Sequence, residues 1–221
     1  MKYVVIDLEM NKVDPAADTR GICTQETIEI GAVMLDENLK EIASFRTYVK
    51  PEYNDHIMKN ISKLTGITTD MVEHAPLFNE AFRMFTNWCL GTGDEVTIYA
   101  WSDSDYKQIY KEIALKNYTV SVAELPLIEE EWEDFQHEFD VHLGFDRQLS
   151  LKTALDMAGI DFEGRAHDAL DDARNTAELF HVFRDEELFD ATLRKIKEAM
   201  EPTPIGCSLG DMFDFSAFVC A

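Results

Sequence analysis

Three stretches of the sequence place side chains that can hold a cation or move a proton at short spacings. The first is Ile6-Asp7-Leu8-Glu9, at the end of a β-branched run. Residues two apart in a strand share a face, so Asp7 and Glu9 are expected to point the same way. Two carboxylates held together repel, and ionising both is costly unless a cation lies between them. Hard divalent ions prefer oxygen ligands, which makes Mg²⁺ or Mn²⁺ the natural partner. The second stretch, Ala100-Trp101-Ser102-Asp103-Ser104-Asp105-Tyr106, again puts acids where a strand gives way to a helix. The third runs from Gly164 to Ala177, GRAHDALDDARNTA. Here Leu170, Ala173, Ala177 and Phe180 trace an inward helical stripe. Asp172 borders that stripe, whereas Asp168 and Asp171 point well away. His167 precedes the helix in a Gly-containing loop, and an imidazole with a pKa of about 6.5 suits a general base near neutrality.

Each stretch also has a plainer reading. D-x-E can be a strand that ends in a polar loop. Ser102 with Asp105 three residues later is a capping-box pattern, and acids at a helix start are favoured by the dipole. Helical phase does not separate Asp103 from Asp105, because both flank an apolar stripe of Ile109, Tyr110, Ile113 and Ala114 at similar angles. A lone His beside a helix is ordinarily a surface or capping residue. The case for a site rests on the three stretches together.

The elements that must position them are readable in outline. Lys2 to Leu8, Thr27 to Leu35, Ile42 to Val49 and Val96 to Trp101 have the β-branched runs of strands. The second and third are joined by the short polar DENLKE and are expected to pair as an antiparallel hairpin. Helical spacing of apolar residues appears over Pro76 to Cys89, Asp105 to Leu115, Leu151 to Ala158 and Asp168 to Arg184. Glu129 to Asp134 is acidic and fits neither pattern. Strands first, then strands mixed with helices, indicate an α/β fold with a mixed sheet. Strand ends in such sheets are where ligands bind, and Asp7 and Glu9 lie at one.

Composition narrows the field. The chain has 221 residues, 46% of them hydrophobic, enough for one large domain or a domain with a small appendage. Residues 1–190 read as the domain and 191–221 as a helix end followed by an irregular tail, available for docking a protein partner. No apolar run is long enough to span a bilayer, and the N-terminus lacks the pattern of a signal peptide, so a cytoplasmic protein is expected. Cys23, Cys89, Cys207 and Cys220 are scattered and read as reduced thiols. The net charge of −23, from 43 acids against 20 bases, argues against a protein that grips long nucleic acid through many phosphates. Bound divalent ions would reverse the local sign. Lys107, Lys111 and Lys116, together with Arg147, Lys152 and Arg165 near the His loop, are the cations that could assist.

The combination of IDLE, an acid after the fourth strand and H-x-x-x-x-D within HDALDDARNTA resembles the DEDDh exonuclease family. IEIGAV in the second strand and ISKLTGIT at Ile61 to Thr68 are similar to that family too. The resemblance covers roughly Lys2 to Arg184. YAWSDSDYKQI and the Gly-Arg before the His look closest to its RNA-trimming branch, that of the histone-mRNA exonuclease. It implies a ribonuclease H-like fold, with a mixed five-stranded sheet flanked by helices. It also implies that Asp7, Glu9, Asp105 and Asp172 hold two divalent ions, Mg²⁺ or Mn²⁺, and that His167 is the base. Alignment with the Tyr-Lys-Gln-Ile that follows selects Asp105 over Asp103. Met10, Leu64 and Thr65 would hold the terminal nucleotide, and Trp101 would pack beside a sugar or base. Leu64 and Trp101 have ordinary core packing as their alternative.

The implied activity is 3′→5′ hydrolysis of single-stranded RNA or DNA, RNA somewhat favoured, with release of nucleoside 5′-monophosphates. A short-oligonucleotide phosphodiesterase and a non-catalytic acidic binding module on the same fold are the rival readings.

Overall fold

The structure, a computed structural model, describes residues 1–129, 132–144 and 148–200. β1 (Lys2–Lys12), β2 (Gln25–Leu35) and β3 (Glu41–Tyr48) come first, followed by the short helices α1 (Lys59–Thr65) and α2 (Thr69–Val72). Next are α3 (Phe78–Leu90), β4 (Val96–Ala100) and α4 (Asp103–Leu115). Then come α5 (Leu125–Glu129), β5 (Trp132–Asp134), α6 (Phe135–Leu143), α7 (Leu151–Ala158), α8 (Ala169–Arg184) and α9 (Glu186–Met200). The sheet order is β3-β2-β1-β4-β5. β1 pairs antiparallel with β2 and parallel with β4, so the sheet is mixed and β1 is central. This is the expected ribonuclease H-like arrangement. β5 accounts for part of the ambiguous 129–134 stretch. The expected tail, 201–221, and Arg147 lie outside the described residues.

The β2–β3 hairpin forms as expected. Asp36 Oδ1 accepts from the amides of Asn38 and Lys40, and Leu39 closes the turn at φ 61°. Both faces of β1 are covered, which is why its middle residues, Val4, Val5 and Ile6, are all buried. Val4, Ile6 and Leu8 face one core with Phe78, Phe82 and Phe85 of α3. Val5 faces the other, with Phe135 of α6, Leu155 of α7 and Phe180 of α8. Cys23 and Cys89 are buried free thiols.

α4 departs from the expected phase. Tyr110 is 57% exposed, and Ala114 is also exposed. The buried residues are Asp105, Gln108, Ile109, Glu112 and Leu115. The helix turns a largely polar face inward because that face finds partners on β2. Glu112 Oε1 accepts from the amide and hydroxyl of Thr27, and Gln108 Nε2 donates to the carbonyl of Gln25. With that phase, Asp105 and Asp103 separate: Asp105 is buried and Asp103 is exposed, paired with Lys107.

Candidate active site

Strand alternation decides where the first two acids go. Asp7 and Glu9 continue the face of Val5, toward α8. The third acid arrives with α4, whose first turn meets the end of β1: Asp105 Oδ1 accepts from the Leu8 amide at 3.1 Å. The fourth, Asp172, lies in the first turn of α8, and its Oδ2 accepts from the His167 amide at 2.9 Å. Asp168 is the N-cap of that helix. α8 comes this close because of Gly31 on β2. A Cβ at residue 31 would lie 2.2 Å from the Leu170 nitrogen and 2.3 Å from the Ala169 carbonyl carbon.

The four acids are poorly compensated. Among the described residues, no Lys or Arg forms an ion pair with Asp7, Glu9, Asp105 or Asp172. Burial, then the fields of Asp105, Asp172 and Glu9, push Asp7 well above the ordinary carboxylate range. Glu9 is pushed up to about 8 by burial, Asp172 and Glu29. Asp105 is pushed up to about 7 by burial, although the Leu8 amide and Ser104 oppose the shift. Asp172 rises to about 6 through burial, with the His167 amide opposing. Carboxyl oxygens from Glu9 and Asp172 and a ring nitrogen of His167 lie within 4.8 Å of one another. Such an oxygen-rich, charge-deficient set fits a hard divalent cation.

A second carboxylate, Glu29, sits directly across from Glu9 in the β1–β2 ladder. Like charges in that register repel. Here an arginine answers: Arg46 Nε is 2.6 Å from Glu29 Oε1, and its Nη2 is 2.7 Å from Asp168 Oδ2. Asp168 therefore does not point away into solvent. It is clamped by Arg46, which secures the start of α8 to β2 and β3.

Asp7, Glu9, Asp172 and His167 line one cleft of about 450 Å³, together with Trp101 and Lys152. The family model described as Exonuclease, RNase_T, matches residues 4–180, a span that contains all of these residues. The chain belongs to this exonuclease family. It is 29% identical to the 3′-5′ exoribonuclease 1 of Rattus norvegicus over 163 residues, 70% of this chain and 45% of that protein. It is 28% identical to the 3′-5′ exonuclease crn-4 of Caenorhabditis elegans over 165 residues, covering 70% of this chain and 54% of that one. The chain thus spans about half the length of these curated relatives. Its fold matches the crystallographic structure of the nuclease domain of 3′hExo, a DEDDh family member bound to rAMP. That match has TM-score 0.71 at 23% identity and covers 82% of this chain and 90% of that one.

In this exonuclease-family chain the remaining expected site residues are placed unevenly. Trp101 is buried at the cleft wall, edge-on to Phe135, and its Nε1 has no hydrogen-bond partner among the described residues. Met10 is half-buried and packs against the α3-side core. Thr65 is buried, its hydroxyl donating to the Ile61 carbonyl and accepting from the Ile67 amide. Leu64 is 47% exposed. Neither Leu64 nor Thr65 lines the cleft, but α1 is tied to its rim. Arg165 Nη2 donates to the Leu64 carbonyl at 3.0 Å.

The expected cations mostly have other work. Lys116 is enclosed with Glu26, Glu52 and Glu112, Lys107 pairs with Asp103, and Lys152 pairs with Asp156. Sequence reasoning missed Glu29, Arg46, Gly31 and the Arg165 bond. Glu29 alone left a signal, a buried-strand acid two residues before Gly31 within IEIGAV.

Proposed function

We propose that this chain is a metal-dependent 3′→5′ exonuclease that removes nucleoside 5′-monophosphates from the 3′ end of a single strand, with RNA favoured over DNA. The observation that carries this reading is the meeting of four acids from β1, α4 and α8 with no lysine or arginine paired to them among the described residues. Asp7, Glu9, Asp105 and Asp172 would hold two divalent ions, Mg²⁺ or Mn²⁺. Asp7, on the central strand and within the fields of the other three, would be the ligand the two ions share. Ions bound there supply phosphate polarisation and a more acidic water.

The chain's own residues supply position and proton transfer. His167 is exposed at the cleft, and a ring nitrogen of its imidazole accepts the proton of the attacking water. The shorter strand leaves with a 3′-hydroxyl, and the freed nucleotide carries the new phosphate oxygen. Trp101, at the cleft wall, would pack beside the sugar or base of the terminal nucleotide. Leu64, Thr65 and Met10 would hold the terminal nucleotide from outside the cleft lining, and Arg165 joins α1, which carries Leu64 and Thr65, to the His loop. The preference for RNA is supported by the relatives from Rattus norvegicus and Homo sapiens that are named 3′-5′ exoribonuclease 1. The scarcity of free lysine and arginine near the cleft among the described residues supports a grip limited to the last few nucleotides.

The test uses RNA and DNA oligomers labelled at either end, with Mn²⁺ and with chelator. Stepwise loss from the 3′ end, dependent on Mn²⁺ and abolished in Asp7→Asn, is expected. Nuclease activity that survives Asp7→Asn would sink the site. Hydrolysis confined to oligomers of a few nucleotides would favour the phosphodiesterase reading.

A further inference from the structure

We infer that Arg165 is a positioning residue for His167, tying the loop that carries it to the end of α1; this rests on the reading of His167 as the base. Residues 163–167 are all exposed, so no apolar burial holds this loop. Its backbone is unusual at two places: Gly164 has φ 82° and His167 has φ 63°. A left-handed conformation at a non-glycine residue is uncommon and persists where surrounding contacts enforce it. Polar contacts do so here. The Arg165 amide donates to Asp171 Oδ2 and the His167 amide to Asp172 Oδ2, both at 2.9 Å. With the Glu163 amide and carbonyl, which pair with the Asn175 side chain at 2.9 and 2.8 Å, these bonds join the loop to the helix it leads into. One more, from Arg165 Nη2 to the Leu64 carbonyl, spans 101 residues and reaches a different element.

That element is the firm one. Thr65 and Ile67, either side of Gly66, are buried, and Ile67 packs with Ile28 and Val72. Gly66 serves twice. At φ 75° it makes the left-handed C-cap of α1. Its bare Cα also provides the seat for the guanidinium, since a Cβ there would lie 1.7 Å from Arg165 Nη1. A planar guanidinium fits this slot and donates to the carbonyl beside it. The loop is thus bonded to α8 at Glu163, Arg165 and His167, and the Arg165 side chain is what ties it to α1. Without that tether, His167 keeps its amide bond to Asp172 but its loop loses the tie to α1.

The experiment compares Arg165→Met, Arg165→Lys and His167→Ala, alone and combined, by steady-state kinetics on a labelled oligomer and by Mn²⁺ calorimetry. Arg165→Met should lower kcat by about 10- to 100-fold, the scale of a misplaced catalytic group. KM, Mn²⁺ affinity and the melting temperature should stay close to wild type, and Arg165→Lys should recover part of the loss. In the His167→Ala background, Arg165→Met should cost nothing further. Gly66→Ala should lower kcat in the wild type and have a smaller effect on kcat beside Arg165→Met, where no guanidinium remains to displace. An equal loss from Arg165→Met with and without His167, or a collapse of Mn²⁺ binding, would overturn the inference. Full activity in His167→Ala would instead sink the base assignment under it. A normal His167→Ala loss with an undiminished Arg165→Met would sink the tether alone.

Discussion

α4 buries two carboxylates on one face, two turns apart, and treats them oppositely. Glu112 is fully satisfied. Its Oε1 accepts from the Thr27 amide, the Thr27 hydroxyl and Gln108 Nε2, and its Oε2 lies 2.9 Å from Lys116 Nζ. Lys116 also meets Glu26 at 2.9 Å, and Glu26 in turn accepts from the amides of Glu52 and Tyr53. Burial alone would lower the Lys116 pKa, but Glu112 and Glu26 outweigh it and hold it above its ordinary value. Asp105, seven residues earlier, has one amide, a neighbouring serine and three more acids. A buried charge left unpaired costs far more than a paired one. The chain can build a complete charge network, and it does so at Glu112. Leaving the same arrangement incomplete at Asp105 is what marks the second cluster as a place for a cation.

The sharpest way to break this contrast is to remove one charge from each cluster. Asp7→Asn should lower the rate by on the order of 10³-fold, the upper range for losing one preorganised electrostatic group. In chelator it should nevertheless melt at a higher temperature than the wild type, because it relieves repulsion. A lower melting temperature would end the claim of an uncompensated cluster. His167→Ala should cost about 10²-fold or more in kcat while calorimetry shows Mn²⁺ still binding. Lys116→Met strands Glu26 and Glu112, so urea unfolding should show a loss of about 3–5 kcal/mol, the scale for breaking a buried pair.

The pH dependence carries the same contrast. Glu9, Asp105 and Asp172 are raised from ordinary values of 4.5, 3.8 and 3.8 to about 8, 7 and 6. A carboxyl with a raised folded-state pKa stabilises the fold while protonated, and that stability is lost as pH rises through the folded value. Melting in chelator should therefore fall between about pH 4 and 8 relative to Asp7→Asn, and saturating Mn²⁺ should remove most of the fall. The smallest effect belongs to the outer face of α4. Asp103 and Lys107 form an exposed pair, so Asp103→Asn should change stability by about 0.5 kcal/mol or less and leave activity intact. Loss of activity there would reassign the third acid.

Much of this was legible in the residues. The strands, the hairpin and the α8 stripe follow from alternation and helical spacing, whereas the meeting of Asp7, Glu9 and Asp172 in one cleft was implied only by the family resemblance. Asp105 was not separable from Asp103 by phase, because the inward face of α4 is Asp105, Gln108 and Glu112 instead of an apolar stripe. Those polar residues point inward only because β2 offers partners, and such partners have no local signature. Arg46 and Asp168, 122 residues apart, share that limit. β5 is three residues long, too short for alternation to register.

Gly31 sets a dimension as well as a contact. The helix bearing Asp172 rests on β2 at the closest approach a backbone allows, and β2 is laced to the strand bearing Asp7 and Glu9. The sheet is therefore a fixed gauge for the gap between the carboxylates. Any side chain at residue 31 would act as a shim, widening that gap. Mg²⁺ demands oxygens at about 2.1 Å and Ca²⁺ accepts them at about 2.3–2.6 Å, so a shim would shift the choice of ion toward the larger one.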